Sequence, residues 1–507
     1  MSRESRRTFL KQTVLGGAAV AAGAVHAQFT IAGTKSSGRV LGANDTVRVG
    51  VAGIHGRGGD HIGEYLKVKG AQVTYLIDPD STLFAGRSER IKDKGHNTPT
   101  CVQDVRKALE DENLDALSIA APNHWHSLLT IWGCQAGKDV YVEKPCSHTL
   151  FEGRQCVEAA AKYGRIVQHG TQQRCSRGRI AEMAALHAGK WGKLLVSKGY
   201  ICKPRPSIGF KPTQEPPKGL DFDLWLGPSA LQPFHKNLVH YNWHWFWDFG
   251  NGEIGNQGVH QADVARWGIA GSTLPTKVWS LGGRLGYKDQ GQTPNMQMAV
   301  FEFGDVLLVL EVRGLVGDLK LGKKSEKAPR DLAFAGFPSK VSNEFYTTEG
   351  LVRDGKFFPK PGGAAHPLAA KPLRPAAGEF DDDTSGGAFG SFIACVRSRK
   401  AEAVTAPILA GHYSAALCHL ANISYRLGRQ ASFSQEPEGM SNAQVAESFE
   451  TIKRNLKAAG VDLDKTTYQM GRTLKIDPQT EKFVGDEEAD KLLTREYRAP
   501  YVVPEQV

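Results

Sequence analysis

The sequence predicts two folded parts. The first is an α/β domain on a doubly wound parallel sheet, and the second an α+β domain on a large, mainly antiparallel β-sheet. Three observations predict this. The chain has 507 residues, enough for two or three domains at roughly 100–200 residues each. Between residues 47 and 169, short apolar runs alternate with helical patterns, as parallel strands joined by crossover helices do. Between residues 275 and 358 the helical patterns vanish and apolar residues alternate with polar ones, as in antiparallel strands.

The elements follow in order. Val47 to Ala52 reads as a buried strand, Gly53 to Gly59 as a glycine-rich turn, His61 to Val68 as a helix and Val73 to Ile77 as a second strand ending at Asp78. Ala116 to Ala120, Val140 to Val142 and Ile166 to His169 are further short strands, with helices expected at Ser127 to Ala136 and at Leu150 to Tyr163, stopped by Gly164. Residues 203–233 are proline-rich and loop-like. Gln297 to Phe303, Val306 to Val312 and Phe345 to Val352 read as strands of the second sheet. Residues 360–385 are rich in Pro, Gly and Ala and end in Asp381-Asp382-Asp383, a solvated loop. Helical spacing returns at Ala388 to Arg397 and Ile408 to Leu427, and a charged tail over residues 436–507 holds one more helix, Asn442 to Ala459.

Composition narrows the function classes. Hydrophobic residues make up 41% and charged residues 23%, which is ordinary for a globular chain. The formal charge is +10, from 63 basic and 53 acidic residues. The basic residues are scattered and not interleaved with aromatics, which argues against a nucleic-acid partner. Beyond the N-terminus no apolar run reaches the length of a membrane span. The eight cysteines contain no C-x-x-C pair, and Cys134, Cys156, Cys395 and Cys418 sit in apolar patterns as small buried hydrophobes; one disulfide stays open.

The N-terminus reads as an address. Arg6-Arg7-Thr8-Phe9-Leu10-Lys11 precedes an apolar stretch, Val14 to Ala27, too short to cross a bilayer and ending in the small-residue cleavage site Val25-His26-Ala27. The paired arginines resemble a twin-arginine signal. The expectation is a processed chain starting near Gln28, exported already folded, with periplasmic localisation and no stable membrane span.

The turn Gly53-Ile54-His55-Gly56-Arg57-Gly58 lies between a strand and a helix, the setting of a dinucleotide fingerprint. Gly53 permits the tight turn, and amides at the helix start can hold a pyrophosphate. His55 replaces the usual middle glycine. Asp78, 20 residues after Gly58, is placed to accept ribose hydroxyls, which favours NAD over NADP. Two further segments end strands, where an open parallel sheet binds its ligand: Ala121-Pro122-Asn123-His124-Trp125-His126 and Glu143-Lys144-Pro145. Pro122, Asn123, His126, Glu143 and Lys144 are therefore cofactor-site candidates. In Tyr241 to Asp248, aromatics such as Trp243 suit either a core or the face of a sugar. His240 and His244 lack an evident third ligand, so no metal site is expected.

With Glu143-Lys144-Pro145, and with Gly252-Glu253-Ile254-Gly255-Asn256-Gln257-Gly258-Val259-His260 further on, the chain over roughly residues 45–430 resembles the glucose–fructose oxidoreductase, inositol dehydrogenase and MocA (Gfo/Idh/MocA) family. The resemblance implies a Rossmann domain over residues 45–170, a substrate and oligomerisation domain over 171–435 and an extension over 436–507, after a signal (1–27) and linker (28–44). It places Lys144 beside the nicotinamide and the reacting oxygen, and makes His260 the group that exchanges the hydroxyl proton. Many members carry an acid where this chain has Asn256, which can orient a hydroxyl but cannot titrate. Asp263 is placed to orient the site or to support its helix. Gln172, Arg174 and Trp243 complete the expected substrate contacts, with a surface carboxylate as the alternative partner of Arg174. The function implied is NAD-dependent oxidation of a sugar, cyclitol or polyol by a dimer or tetramer. Its rivals are a glycoside-cleaving enzyme with tightly held NAD, and a non-catalytic cofactor-binding sensor.

Overall fold

The computed structural model describes residues 46–315, 341–360, 362–368 and 387–507. The N-terminal signal, the linker to residue 44 and Asp381-Asp382-Asp383 lie outside these residues.

The first sheet begins with β1 (Val47–Ala52), which leads through the glycine turn into α1 (Arg57–Tyr65). Then come β2 (Ala71–Ile77), α2 (Phe84–Lys92), β3 (Thr100–Val102), α3 (Val105–Leu109), β4 (Ala116–Ile119), α4 (Asn123–Gln135), β5 (Asp139–Val142), α5 (Leu150–Tyr163) and β6 (Val167–His169). All six strands are parallel, in the order β3-β2-β1-β4-β5-β6. The order reverses between β1 and β4, and a crevice opens there at the strands' carboxyl ends. The boundaries of α5 follow from local chemistry. The Thr149 hydroxyl accepts from the Glu152 amide, and Gly164 stops the helix at φ +59°. Both α1 and α4 start earlier than the apolar pattern suggests, with Arg57 and with Asn123 and His126 of their first turns lining the crevice.

The chain continues through α6 (Arg177–His187), β7 (Leu194–Cys202), α7 (Phe222–Leu226), α8 (Gly252–Asn256) and α9 (Gly258–Trp267) into β8 (Lys277–Gly283), β9 (Met296–Phe303) and β10 (Val306–Arg313). Strands β11 (Val341–Thr347) and β12 (Gly350–Arg353) form a hairpin where the sequence suggested one strand. Thr347 accepts from the Gly350 amide at its turn. With β13 (Lys356–Pro359) and β14 (His366–Pro367) they extend a large sheet that is antiparallel except where β7 pairs β10. Strand β7 escapes the sequence pattern because Ser197 and Lys198 interrupt it. Lys198 is nonetheless buried, 2.6 Å from the buried Glu311 carboxylate on β10.

The last third of the chain stitches the two parts together. Helix α10 (Gly387–Ser398), expected in the second domain, packs Ala388, Phe389 and Phe392 against Val47, Val49 and Tyr141 of the first sheet. Helix α11 (Ile408–Arg426) packs on α9 and on the second sheet through Ala416, Leu417 and Leu420. After β15 (Arg429–Ser432), α12 (Ala443–Ala458) lays Val445, Phe449, Ile452 and Leu456 on Trp279, Met298 and Val300 of the large sheet. The tail ends with Tyr501, Val503 and Val507 in the core of the first domain. All eight cysteines are free thiols. Among the described residues no helix is long and apolar enough to cross a membrane.

Candidate functional site

A cavity of about 310 Å³ opens at the crevice. Its walls come from the ends of β1, β2, β4 and β5 on one side and from the 224–256 segment on the other.

The glycine turn has the shape a dinucleotide needs. Gly53 has φ +80°, and a Cβ there would lie 2.7 Å from the Ala121 amide nitrogen. A Cβ on Gly58 would lie 1.7 Å from the Gly53 carbonyl oxygen, whereas the space beside Gly56 is open. Gly58 therefore serves the close packing of helix on strand, and Gly56 leaves room for a ligand to approach the backbone. Asp78 closes the other side. Its Oδ2 accepts from the Ile54 amide at 2.8 Å and its Oδ1 from the Asp80 amide at 2.9 Å, which ties the acid to the turn. Burial raises the Asp78 carboxyl above its ordinary value, against the pull of those two amides and of His240. These glycines and this acid fit a bound NAD. Gly53, His55, Gly56, Arg57 and Asp78 line the cavity, while Ile54 and Gly58 stand behind it.

His55, in the place of the usual middle glycine, stacks on His240 with ring centres 4.2 Å apart and planes 5° apart. His240 Nε2 lies 3.1 Å from Asp80 Oδ2. The second domain thus reaches onto the turn through His240. His244 faces the other way, buried with Nδ1 2.8 Å from the Tyr241 carbonyl. The aromatic run divides in the same manner. Trp245 and Phe246 are core, while Tyr241 and Trp243 line the cavity.

Glu143 is a buried hub. Its Oε1 accepts from Arg57 Nε at 2.7 Å and lies 3.1 Å from His61 Nε2, and its Oε2 accepts from the Lys144 amide at 3.1 Å. Burial alone would raise its pKa, but the His61 hydrogen bond and the Arg57 charge hold it well below the ordinary value. Pro122, Asn123 and His126 also line the cavity. The His126 ring, however, is fixed between the carbonyls of Pro145 (2.5 Å) and Ala121 (2.7 Å). Asn123 donates to Asn251 at 3.1 Å. These bonds hold both residues in the wall, where they line the cavity as expected of cofactor-site residues.

Lys144 and Asn256 meet at the cavity floor. Lys144 Nζ donates to the Asn256 carbonyl at 3.0 Å and to Asn256 Oδ1 at 3.3 Å. Burial lowers the Lys144 pKa, and the neighbouring Glu143 and Glu253 carboxylates raise part of it back. Asn256 Nδ2 donates to Glu253 Oε2 at 3.2 Å, and Glu253 Oε1 accepts from Arg205 at 2.5 Å. The acid absent at position 256 thus stands three residues earlier. The i, i+3 spacing of Glu253 and Asn256 was visible in the sequence, but the pairing needed the short helix α8.

His260 stands one turn beyond Asn256, on α9, outside the cavity wall. Burial and the Lys144 charge push its imidazole down to about 3. It is therefore neutral near pH 7. Two expected substrate contacts are not in the wall. Gln172 donates to Glu143 at 3.4 Å. Arg174 is buried, with Nε 2.9 Å from both Asp263 carboxylate oxygens and its guanidinium 4.9 Å from the Trp267 ring centre. A buried cation and a buried carboxylate neutralise one another, so Arg174 ties the turn at residues 172–175 to Asp263 on α9.

Two segments of the chain match family models, and several known proteins resemble parts of it. Residues 47–171 match the model of the oxidoreductase family with NAD-binding Rossmann fold, and residues 209–278 match that family's C-terminal alpha/beta domain. A glycosyl hydrolase family 109 protein of Saccharopolyspora erythraea is 25% identical over 248 residues, 45% of this chain and 54% of that protein. The inositol 2-dehydrogenase of Salmonella paratyphi B is 28% identical over 156 residues, 30% of this chain and 45% of that one. The chain thus spans about half the length of these curated relatives. Among solved structures, the WlbA dehydrogenase from Bordetella pertussis, in complex with NADH and UDP-GlcNAcA, superposes with a TM-score of 0.52 at 18% identity, covering 74% of this chain and 93% of that one. Levoglucosan dehydrogenase, in complex with NADH and levoglucosan, does so with 0.51 at 16% identity, covering 74% and 95%. At these identities the likeness is one of fold. The two matched segments are thus similar to the Gfo/Idh/MocA oxidoreductase family, the first of them to its NAD-binding Rossmann domain.

Proposed function

We propose that the protein is an NAD-dependent oxidoreductase acting on a hydroxyl of a sugar, cyclitol or related polyol. The observation that carries this reading is the Lys144 ammonium on the floor of the cavity that the glycine turn and Asp78 also line. NAD supplies a hydride acceptor there, held by the turn and by Asp78. The chain's own residues manage the oxygen and its proton. Lys144 donates a charged hydrogen bond to the reacting oxygen. The neutral His260 imidazole takes the hydroxyl proton on a ring nitrogen. Asn256 holds Lys144 in place, and Trp243 offers a flat apolar face to the ring of the substrate.

A second reading has specific support: relatives named as glycosyl hydrolase family 109 proteins. In it the same residues oxidise a glycoside only transiently: the aglycone is eliminated, water adds in its place, and the hydride returns from the reduced cofactor to the sugar. Product analysis separates the two. The purified protein is given NAD and a panel of free sugars, polyols and glycosides. A keto product formed one-for-one with NADH supports net oxidation. A free sugar without net NADH supports the second reading, and no turnover of any carbohydrate contradicts both.

We further propose that Arg6-Arg7 and the apolar stretch after them send the folded chain out by the twin-arginine route to the periplasm. A cofactor loaded before export would overcome the scarcity of free NAD outside the cytoplasm. The resemblance supports a dimer or tetramer. Because α12 already covers part of the large sheet's face, we place the contact between copies on another part of that sheet.

A further inference from the structure

We propose that Glu253 is the positioning residue of this site: it turns the Asn256 carboxamide so that its oxygen faces Lys144, and it supplies the negative charge that position 256 lacks. The inference rests on the reading of Lys144 as the group at the reacting oxygen.

The geometry leaves one arrangement. Glu253 is 1% exposed and its carboxylate only accepts hydrogen bonds. One oxygen is taken by Arg205 at 2.5 Å. The other, at 3.2 Å from the Asn256 side chain, needs a donor and so selects the NH₂ end of the carboxamide. Asn256 Oδ1 is then left for Lys144 Nζ, at 3.3 Å, which has only hydrogens to give. A bare asparagine has no such preference, since its two ends are nearly the same shape. Arg205 comes from the proline-rich segment after β7, and its own carbonyl accepts from the Tyr287 hydroxyl at 2.8 Å, so the far end of the chain of contacts is also fixed.

The charges facing Lys144 are few. Glu143 and Glu253 hold it protonated, and Arg57 and Arg205 oppose them. His260 and His244, both pushed down to about 3, add no charge near pH 7. His126 and Cys418, which also sense Lys144, are shifted by burial toward their neutral forms. Both carboxylates hold a cation of their own, Glu143 with Arg57 and Glu253 with Arg205, and Glu143 meets Lys144 at its backbone amide. Glu253 is the one that reaches Lys144 through Asn256.

The test measures the protonation of Lys144 and needs no substrate. The full chain is labelled with trace acetic anhydride across a pH series. The extent of acetylation at Lys144, read by mass spectrometry, gives its midpoint. Glu253→Gln removes the charge and presents an NH₂ group to Asn256, which must then turn its nitrogen toward Lys144. The midpoint should fall by about one pH unit or more, the usual effect of losing a nearby opposite charge. The double variant Glu253→Gln with Asn256→Asp moves the carboxylate to position 256, and the midpoint should return to that of the unaltered chain. Arg205→Met removes a cation while leaving Glu253, and the midpoint should rise. A structural defect would not move the midpoint in opposite directions. An unmoved midpoint in Glu253→Gln, or no return in the double variant, overturns the inference. If Glu253→Gln does not fold, the double variant and Arg205→Met decide it by the same signs. Because the labelling proceeds without turnover, failure of the carbohydrate reading leaves this result standing. Normal oxidation with an unmoved midpoint overturns Glu253 alone.

Discussion

Replacing Lys144 by methionine should separate binding from chemistry. The ammonium has three hydrogens, and two are accounted for by the Asn256 carbonyl at 3.0 Å and its side-chain oxygen at 3.3 Å. The third is left for the cavity that Lys144 lines. A charged donor lost from an oxygen that gains negative charge costs about 2.7–4 kcal/mol, or about 10²–10³ in kcat. Methionine keeps the apolar stem. The fold should survive, because each neighbouring carboxylate keeps a cation of its own: Glu143 has Arg57 at 2.7 Å and Glu253 has Arg205 at 2.5 Å. The two Asn256 acceptors left unpaired should cost about 1–3 kcal/mol of stability. NAD affinity should hold, since the turn and Asp78 are untouched. Three measurements read this out: a thermal melt, a titration of NAD by calorimetry, and single-turnover kinetics with the substrate identified by the product screen. A folded Lys144→Met variant that binds NAD and turns over at the full rate would refute the role of Lys144. Loss of NAD binding with the chemical step intact would move Lys144 from the reaction to the cofactor.

His260→Ala should lower kcat by about 10²–10⁴, the usual range for an acid–base group; full activity in steady-state assays would remove His260 from the reaction. Asp78→Ala should weaken NAD by about 1.5–3 kcal/mol, the value of hydrogen bonds to a charged group, and NADP much less; an unchanged preference in binding titrations would mean that Asp78 does not read the ribose. Acid should destabilise the fold early. His124, His244, His260 and His419 are pushed down to about 3 and His169 to about 4, all by burial. Such groups add nothing above the unfolded pKa near 6.5. Below it the unfolded chain binds protons that the folded chain refuses, so stability falls with pH by up to about 1.4 kcal/mol per histidine per unit. Melting temperatures should therefore drop steeply from pH 6.5 toward 4, and a flat profile would contradict the buried, neutral state of these rings. Replacing Arg6-Arg7 by Lys-Lys should trap the precursor in the cytoplasm, and normal export in a fractionation assay would refute the twin-arginine route.

What the sequence revealed depended on how local the physics was. The glycine turn, Asp78 and Glu143-Lys144 were legible because strand, turn and helix follow one another within a few residues. Helix α5 was legible to its ends because Thr149 and Gly164 cap it from within the same stretch. Arg174 was misread because its partner Asp263 is 89 residues away, and nothing near Arg174 announces a buried carboxylate. Helix α10 falls within the 171–435 segment of the sequence yet packs on the first sheet: its apolar face fits either core, and only the returning chain decides. Strand β7 was hidden by Lys198, which reads as solvent-facing until Glu311 is brought beside it. Nothing in the sequence marks Glu253 as part of the site, because its link to Lys144 runs through the Asn256 side chain.

The central claim is that this chain moves a hydride between a carbohydrate carbon and NAD at Lys144. The most direct test is isotopic. The protein with NAD is mixed with a substrate deuterated at its carbinol carbons, quenched during the first turnover, and the recovered cofactor is weighed by mass spectrometry. Deuterium on the reduced cofactor is predicted for net and for transient oxidation alike, with the yield falling about 10²–10³-fold in Lys144→Met. Conversion of the substrate with no label on the cofactor would contradict the claim.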